Sequence, residues 1–247
     1  MRLSRLAALP IVLLLAGCPN LLGSSGNTDL NLKILAVTQD TGAGATANAY
    51  LEWQPITNAS QYQVFRTSGE SPTSLQKNDK VAFTEPVGVG KTVSYKVVAL
   101  DSVGNEKVAS SPLTVAVLNA EVGAPTTATA DGQTVALGGS GITSIASGQP
   151  MIKWGAVEKA NHYYIRVYDG EDKTLYAALT KEPEAKLGTL VYGDLKVPNF
   201  PQVKDQAIST GKVAYLTISA IRANDADIKA ATAFDIKASS VGKIFRE

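Results

Sequence analysis

The sequence has few of the residues on which most catalytic and metal sites depend. Its 247 residues include one cysteine, Cys18, and one histidine, His162. A single cysteine excludes a disulfide within the chain, and one histidine cannot supply the several ligands that zinc prefers. A Ser-His-Asp catalytic triad or a Cys-His dyad would have to use His162, and no nucleophile motif accompanies it. The sequence therefore predicts no catalytic centre, no metal site and no cofactor, and we expect His162 to face solvent at a strand edge.

The sequence also lacks an excess of charge of either sign. The chain carries 23 basic and 22 acidic residues, and it has no lysine or arginine run that could follow a phosphate backbone. We therefore expect no nucleic-acid partner. After Cys18 no apolar run approaches the roughly 20 residues that a membrane-spanning helix needs.

The chain begins with a short basic and apolar segment. Arg2 and Arg5 precede an apolar run over residues 6–16, and this order is typical of an export signal. The 12 residues from 6 to 17 are too few to cross a bilayer as a helix. The segment therefore predicts a cleaved signal rather than a permanent anchor.

The end of this segment resembles the lipobox of bacterial lipoproteins, because it reads Leu15-Ala16-Gly17-Cys18. The resemblance implies that residues 1–17 are a signal peptide and that Cys18 receives a diacylglycerol thioether. Further acylation of the freed amine would give two or three chains, which hold a protein at a membrane almost permanently. An ordinary secretory signal with an incidental cysteine is the alternative.

Residues 18–29 are mostly small and polar, which predicts a lipidated, flexible tether. Without residues 1–17 the chain has 21 basic and 22 acidic residues and a net charge near −1. Pro19 follows the cysteine where an aspartate is associated with inner-membrane retention, which favours an outer-membrane or surface position in a bacterium with two membranes. We expect an exported protein, lipid-anchored to the cell membrane or outer membrane and facing the periplasm or the cell exterior.

An internal repeat divides the remaining chain. A Trp–Tyr pair recurs after 101 residues. The first copy has Trp53 and Tyr62, and the second has Trp154 and Tyr163. We expect these aromatic side chains to pack in cores, because aromatic residues bury large areas. A second block, residues 93–99, recurs at 213–219 with an offset of 120, which places about 19 extra residues between the blocks of the second copy.

The repeated segments have the composition of β-strands. They are rich in Val, Tyr, Phe and Leu and are bounded by Gly, Pro, Asn, Asp and Ser; they are residues 49–53, 61–66, 92–100 and 113–118. No long window after the signal keeps a helical period. The pattern predicts an all-β protein built as a sandwich or barrel.

The first copy resembles the fibronectin type III fold, an immunoglobulin-like β-sandwich. The resemblance lies in a Trp in the second strand, a Tyr opening the third, a Tyr-x-Val-x-Ala strand and an Asn/Gly turn: Trp53, Tyr62, 95–99 and 101–105. It implies two tandem fibronectin type III-like β-sandwiches. Their predicted ranges are 30–118 for domain 1, 119–126 for the linker and 127–247 for domain 2, with an insertion at about 181–211.

The second copy departs from this pattern. Under the offset of 120, Thr217 and Ser219 stand where apolar residues are expected, and no Gly-Asn turn follows. The insertion also has no counterpart in the family.

Two acidic loops are candidate calcium sites, residues 169–172 and 224–227. Calcium prefers six to eight oxygen ligands, and neither loop has the spacing of a known calcium loop. We favour the simpler interpretation that their Asp and Asn residues form turns.

One strand of domain 2 could present a binding surface. If Tyr163 faces the core, then Tyr164, Arg166 and Tyr168 lie on the opposite face, with Leu216 and Ile218 beside them on the next strand. The alternative is that the apolar insertion folds over this face as a lid.

The family resemblance most often implies spacing and adhesion. Our first hypothesis is a non-enzymatic cell-envelope lipoprotein that binds another envelope protein or serves as an adhesion or assembly module. The second is a carbohydrate- or peptidoglycan-binding lipoprotein that uses Tyr164, Arg166 and Tyr168. An enzyme is a third hypothesis, for which no site is visible.

Overall fold

The computed structural model describes residues 29–39, 46–68, 72–118, 121–188 and 206–247. The regular elements within these ranges are β-strands, as predicted. The described ranges contain no helix long and apolar enough to cross a membrane. The predicted signal peptide, Cys18 and nearly all of the tether lie outside the described residues, as do 119–120 of the linker and 189–205 of the insertion.

Domain 1 consists of two antiparallel sheets. Its strands are β1 (Lys33–Gln39), β2 (Thr46–Glu52), β3 (Gln61–Arg66), β4 (Thr73–Asn78), β5 (Ala82–Gly88), β6 (Lys91–Leu100), β7 (Glu106–Ala109) and β8 (Leu113–Leu118). One sheet has the order β1-β2-β5, and the facing sheet runs β8-β6-β3-β4, with β7 on β6.

Alternation of apolar residues explains this packing. Tyr95, Val97 and Ala99 of β6 are fully buried, and the last two lie opposite the buried Val64 and Tyr62 of β3. In an extended strand every second side chain points to the same face, so these residues form one apolar wall. The predicted fibronectin type III-like sandwich is confirmed by this strand order.

Domain 2 repeats the arrangement. Its strands are β9 (Ala128–Ala130), β10 (Gln133–Val135), β11 (Thr143–Ile145), β12 (Met151–Trp154), β13 (His162–Tyr168), β14 (Thr174–Thr180), β15 (Glu184–Lys186), β16 (Val213–Ala223), β17 (Ala233–Ala238) and β18 (Gly242–Arg246). One sheet runs β10-β9-β12-β15; in the other, β13 pairs with β14 and β16, and β16 pairs with β17 and β18.

The register of β16 corrects the sequence alignment of the two copies. Tyr62 lies opposite Ala99 in domain 1, whereas Tyr163 lies opposite Ala220 in domain 2. Ala99 and Ala220 are therefore equivalent, and the offset of the second block is 121 rather than 120. A slip of one residue exchanges the two faces of a strand. Ile218 therefore occupies the position expected to be filled by Thr217.

The two domains are joined edge to edge. Strand β17 of domain 2 pairs in parallel with β8 of domain 1, with Ala233 opposite Ala116 and Asp235 opposite Leu118. The backbone N–H of Ala116 also donates to the Thr232 carbonyl at 2.8 Å. The result is one sheet of 11 strands that runs through both domains.

The division between the two apolar cores does not coincide with the boundary between the repeats. One core lies within domain 2, around Ile152, Ile165 and Ile218. The other contains the interior of domain 1 and continues without a break into domain 2. Its domain 2 members include Tyr164, Ala177, Leu179, Ile221, Phe234 and Ile236.

Strands β2 and β14 are buried on both faces as a result. Five consecutive residues of β2, Ala47 to Leu51, are buried, and so is every residue of β14. A strand at the surface of a sandwich buries only alternate residues. These strands therefore lie inside the molecule.

A buried carboxylate fixes the chain where it passes between the domains. Asp235 of β17 accepts the backbone N–H of Glu121 at 2.8 and 3.0 Å and that of Val122 at 3.1 Å. The Glu121 side chain in turn pairs with Arg222 at 3.3 Å and Lys159 at 3.8 Å. The described end of the predicted linker is thus bound to the second domain.

Candidate functional site

The predicted aromatic face is only partly exposed. Tyr164, Arg166 and Tyr168 do share one face of β13, opposite Tyr163 and Ile165. Tyr164 is 3% exposed, however, because it packs in the core that extends from domain 1. The prediction that Tyr164 belongs to a ligand surface is therefore wrong, while for the partly exposed Arg166 and Tyr168 it stays a prediction.

The neighbouring strand contributes different residues from those expected. Leu216 and Ile218 were predicted to flank the aromatic face, but both are fully buried in the core of domain 2. They pair with Val167 and Ile165, whose side chains point to the same face. Tyr215 lies on the aromatic face instead, opposite Tyr168.

Arg166, Tyr168 and Tyr215 form a stacked group. The rings of Tyr168 and Tyr215 lie 5.5 Å apart with an angle of 21° between their planes. The Arg166 guanidinium carbon is 4.6 Å from the centre of the Tyr168 ring, which is within range of a cation–π interaction. The guanidinium thus packs against the partly exposed Tyr168 ring.

The guanidinium of Arg166 is itself held by three polar contacts. Its Nε donates to Thr174 Oγ1 at 2.9 Å, and its Nη2 donates to the Asp172 carbonyl at 2.7 Å. The same Nη2 lies 3.0 Å from Asp172 Oδ1. Arg166 therefore braces the aromatic group and the turn after β13.

A cavity of about 470 Å³ opens beside Tyr215. Three segments line it: the turn between β13 and β14, the segment 206–209 and the start of β16. Its lining combines the buried apolar Leu175 and Ile208 with four charged residues, Asp169, Glu171, Lys173 and Lys212. Its volume lies within the range of sites that bind small molecules.

The described ends of the insertion pack into domain 2. Leu187 and Ile208, on either side of residues 189–205, are both buried in the core of domain 2. The rest of the predicted lid, including Tyr192 and Phe200, lies outside the described residues.

The two acidic loops are turns, as the simpler interpretation expected. Asp169 Oδ1 accepts the backbone N–H groups of Glu171 at 3.0 Å and Lys173 at 2.9 Å. Asp225 Oδ1 accepts that of Asp227 at 2.9 Å. The described ranges contain no group of three or more side chains placed to hold a metal ion.

His162 is a buried residue, which corrects the expectation that it faces solvent. It is 0% exposed because it is the first residue of β13, which lies between β14 and β16, and it pairs with Ile221. Its Nδ1 is 3.0 Å from Asn161 Oδ1, which also accepts the Ala223 N–H at 2.9 Å. The Nδ1 must then donate, which leaves Nε2 as a buried acceptor without a partner among the described residues. Burial, aided by the charge of Lys181 and opposed by Asp227, lowers the pKa of His162 to about 4.

An ion pair with one buried partner, Glu85, joins the two sheets of domain 1. Arg66 of β3 pairs with Glu85 of β5, and Tyr95 lies opposite Arg66 on β6. Burial raises the pKa of Tyr95 to about 12, and the charge of Arg66 opposes that rise. This tyrosine therefore stays protonated at neutral pH.

The roles of Tyr215 and Asp235 were not predicted from the sequence. Tyr215 was aligned with the core residue Tyr95, and the register shows that Leu216 holds that position. Leu216 and Ile218 are apolar and share one face of β16, as Ile165 does on the core face of β13. The residue before them, Tyr215, must then lie on the outer face, and this alternation was the available signal. A single Asp within an apolar strand was the only signal for Asp235.

Comparison with known proteins identifies no family for the chain. No protein-family model matches the sequence, and no curated protein matches it. Among solved structures, the chicken CNTN1 FN1-FN3 domains are 14% identical, with a TM-score of 0.30 over 90% of this chain and 69% of that one. A two-domain fibronectin type III segment of chicken tenascin is also 14% identical, with a TM-score of 0.29 over 85% of this chain and 98% of that one.

A single-domain likeness covers part of the chain. An Fn3-like protein from Clostridium thermocellum is 27% identical, with a TM-score of 0.25 over 35% of this chain and 90% of that one. Superpositions as loose as these carry no argument about function. The fold class rests on the strand order described above.

Proposed function

We propose that this protein is a non-enzymatic lipoprotein of the bacterial cell envelope that binds another envelope protein as an adhesion or assembly module. The lipobox-like Leu15-Ala16-Gly17-Cys18 supports export and lipid anchoring at Cys18. The fibronectin type III-like fold supports protein binding, since such domains are commonly used in that way. The proposal involves no cofactor and no nucleic acid.

The observation that carries the proposal is the edge-to-edge junction of β8 and β17. Domains in tandem on a flexible linker move independently, and their surfaces then have no fixed spacing. Here a continuous sheet and a shared core hold the two sandwiches in one orientation. A rigid body of this kind suits a protein that spaces or assembles other components.

Strand β4 is the edge that we expect a partner to use. Among the described residues it pairs with β3 alone and ends the long sheet. The unpaired backbone groups of an edge strand can accept an added strand from another protein. The side chains of β4 are exposed or half-buried and mainly polar, so backbone pairing rather than apolar burial would supply most of the affinity.

The experiment is cross-linking in intact envelopes. A photoreactive amino acid replaces Lys77, an exposed residue of β4, and a matched control replaces Ser102, an exposed residue of the turn after β6. We expect a stoichiometric protein adduct from position 77, none from position 102, and loss of the adduct in Cys18→Ala, which cannot be lipidated.

Either of two results would contradict the proposal. Absence of a protein adduct from position 77 in the lipidated protein would remove β4 as the docking edge. An adduct that persists in Cys18→Ala at an unchanged level would show that membrane anchoring is not needed for the interaction.

A further inference from the structure

The cavity beside Tyr215 has features that protein binding at β4 does not require. It lies in domain 2, whereas β4 lies at the far end of the sheet in domain 1. Ligand binding in this cavity would therefore be a second activity, independent of the proposed one.

One wall of the cavity is a turn held in a fixed shape. The Asp169 carboxylate accepts two backbone N–H groups of the turn, and the Asp169 N–H donates to the Lys173 carbonyl at 3.0 Å. Asp172 adopts a left-handed conformation with φ of 63°, which closes the turn. Glu171 and Lys173 belong to this wall.

The opposite wall is also tied down by hydrogen bonds. The Gln206 N–H donates to the Leu175 carbonyl at 2.9 Å, and the Ile208 N–H donates to the Gly148 carbonyl at 2.8 Å. The Ile208 carbonyl accepts Arg246 Nη1 at 2.7 Å. Both walls are thus arranged before any ligand arrives, which lowers the entropic cost of binding.

The third side of the cavity is aromatic. Stacking on Tyr168 supports the Tyr215 ring, and Gly170 lies against it. A Cβ at Gly170 would stand 4.0 Å from Tyr215 Cε2, so a larger side chain at this position would lie against the ring. Glycine at position 170 therefore keeps part of the ring open to the cavity.

The charges around the cavity balance. Asp169 and Glu171 are opposed by Lys173 and Lys212, so the lining has no net charge that would select a strongly anionic or cationic ligand. The same groups, with the amide of Gln206, supply both hydrogen-bond donors and acceptors. Hydroxyl groups pair with both kinds, because each can donate and accept.

We infer that this cavity binds one ring of a neutral saccharide. The apolar C–H face of the ring would lie on Tyr215, and its hydroxyls would bond to the charged and amide groups of the walls. Arg166 and Tyr168 support the aromatic side without lining the cavity.

The test is a titration of the full-length lipidated protein in a detergent without sugar groups. The probes are neutral tetrasaccharides of glucose and of N-acetylglucosamine, with an oligogalacturonate and an alanine tetrapeptide as alternatives. Gly170→Leu places a bulky side chain against the Tyr215 ring. The matched control is Ser102→Leu, because Asp101 holds its turn through the same pair of backbone bonds, to Val103 and Asn105.

We expect saturable binding of a neutral tetrasaccharide, weakened at least about tenfold by Gly170→Leu and unchanged by Ser102→Leu. No binding of either neutral tetrasaccharide, binding that Gly170→Leu leaves intact, or preferential binding of the oligogalacturonate or the tetrapeptide would overturn the inference. Cross-linking from position 77 should be the same in Gly170→Leu, so failure here is separable from failure of the protein-binding proposal.

Discussion

The Asp235 carboxylate binds the backbone N–H of Glu121 with both of its oxygens, at 2.8 and 3.0 Å. The two residues are 114 positions apart, and Asp235 is buried in the strand that joins the domains. The start of domain 2 is thus fastened to the strand that extends the sheet of domain 1.

Removal of this carboxylate should weaken the whole molecule. Asp235→Ala leaves the N–H groups of Glu121 and Val122 without their acceptor, which should lower the free energy of unfolding by about 2 to 4 kcal/mol. Chemical denaturation measures the loss. Asp225→Ala, which removes an exposed turn acceptor for Asp227, should cost less than about 1 kcal/mol. Equal effects of the two substitutions would contradict the role given to Asp235.

The hydroxyl groups of Tyr62 and Tyr163 should make similar contributions to stability. The Tyr62 hydroxyl accepts the Ile56 N–H and the Tyr163 hydroxyl accepts the Val157 N–H, both at 2.9 Å. Tyr62→Phe and Tyr163→Phe should each cost about 1 to 2 kcal/mol, because each leaves a backbone N–H without its acceptor.

Tyr95→Phe is the matched control for these variants. Its hydroxyl is buried without a partner among the described residues, so its removal should leave stability unchanged or raise it. Thermal unfolding of the three variants makes the comparison. A loss for Tyr95→Phe as large as those for the other two would contradict the assignment.

His162 should make folding sensitive to acid. Its pKa in the folded protein, about 4, lies below the ordinary value of 6.5. The unfolded chain therefore takes up the proton first as the pH falls. The contribution of neutral His162 to the free energy of unfolding is fully present above pH 6.5. It is lost between pH 6.5 and pH 4, by at most about 1.4 kcal/mol per pH unit.

The measurement is denaturant unfolding at several pH values, for the wild type and for His162→Gln. Glutamine does not titrate, so the difference in stability between the two proteins should shrink or reverse from pH 7 to pH 4.5. Parallel pH profiles would contradict the prediction.

Short-range patterns predicted much of the fold. The aromatic landmarks were expected in cores, and Trp53, Tyr62, Trp154 and Tyr163 are all buried there. The acidic turns were also predicted, because Asp and Asn side chains bond to backbone groups two to four residues ahead. Such features depend on neighbours that are close in the chain.

Features that depend on distant contacts were not predicted. The alternation in β13 correctly placed Tyr164 away from the core of its own sandwich, yet it contains no information about what covers that side. The parallel pairing of Ala233 with Ala116 likewise has no local signal, because an edge strand has the same pattern with or without a neighbour. The alignment error at β16 moved Tyr215 to the wrong face and concealed the cavity beside it.

Hydrogen exchange in a Phe234→Ala variant tests the union of the two sandwiches most directly. Phe234 belongs to β17 of domain 2, but its fully buried side chain lies in the core shared with domain 1. Loss of the ring should therefore reduce protection at Val97 in β6 as well as at Ile221 in β16, by about 3 kcal/mol in the free energy of opening. If protection falls at Ile221 and Val97 keeps its wild-type value, the sandwiches are independent units and the account of one fused body is wrong.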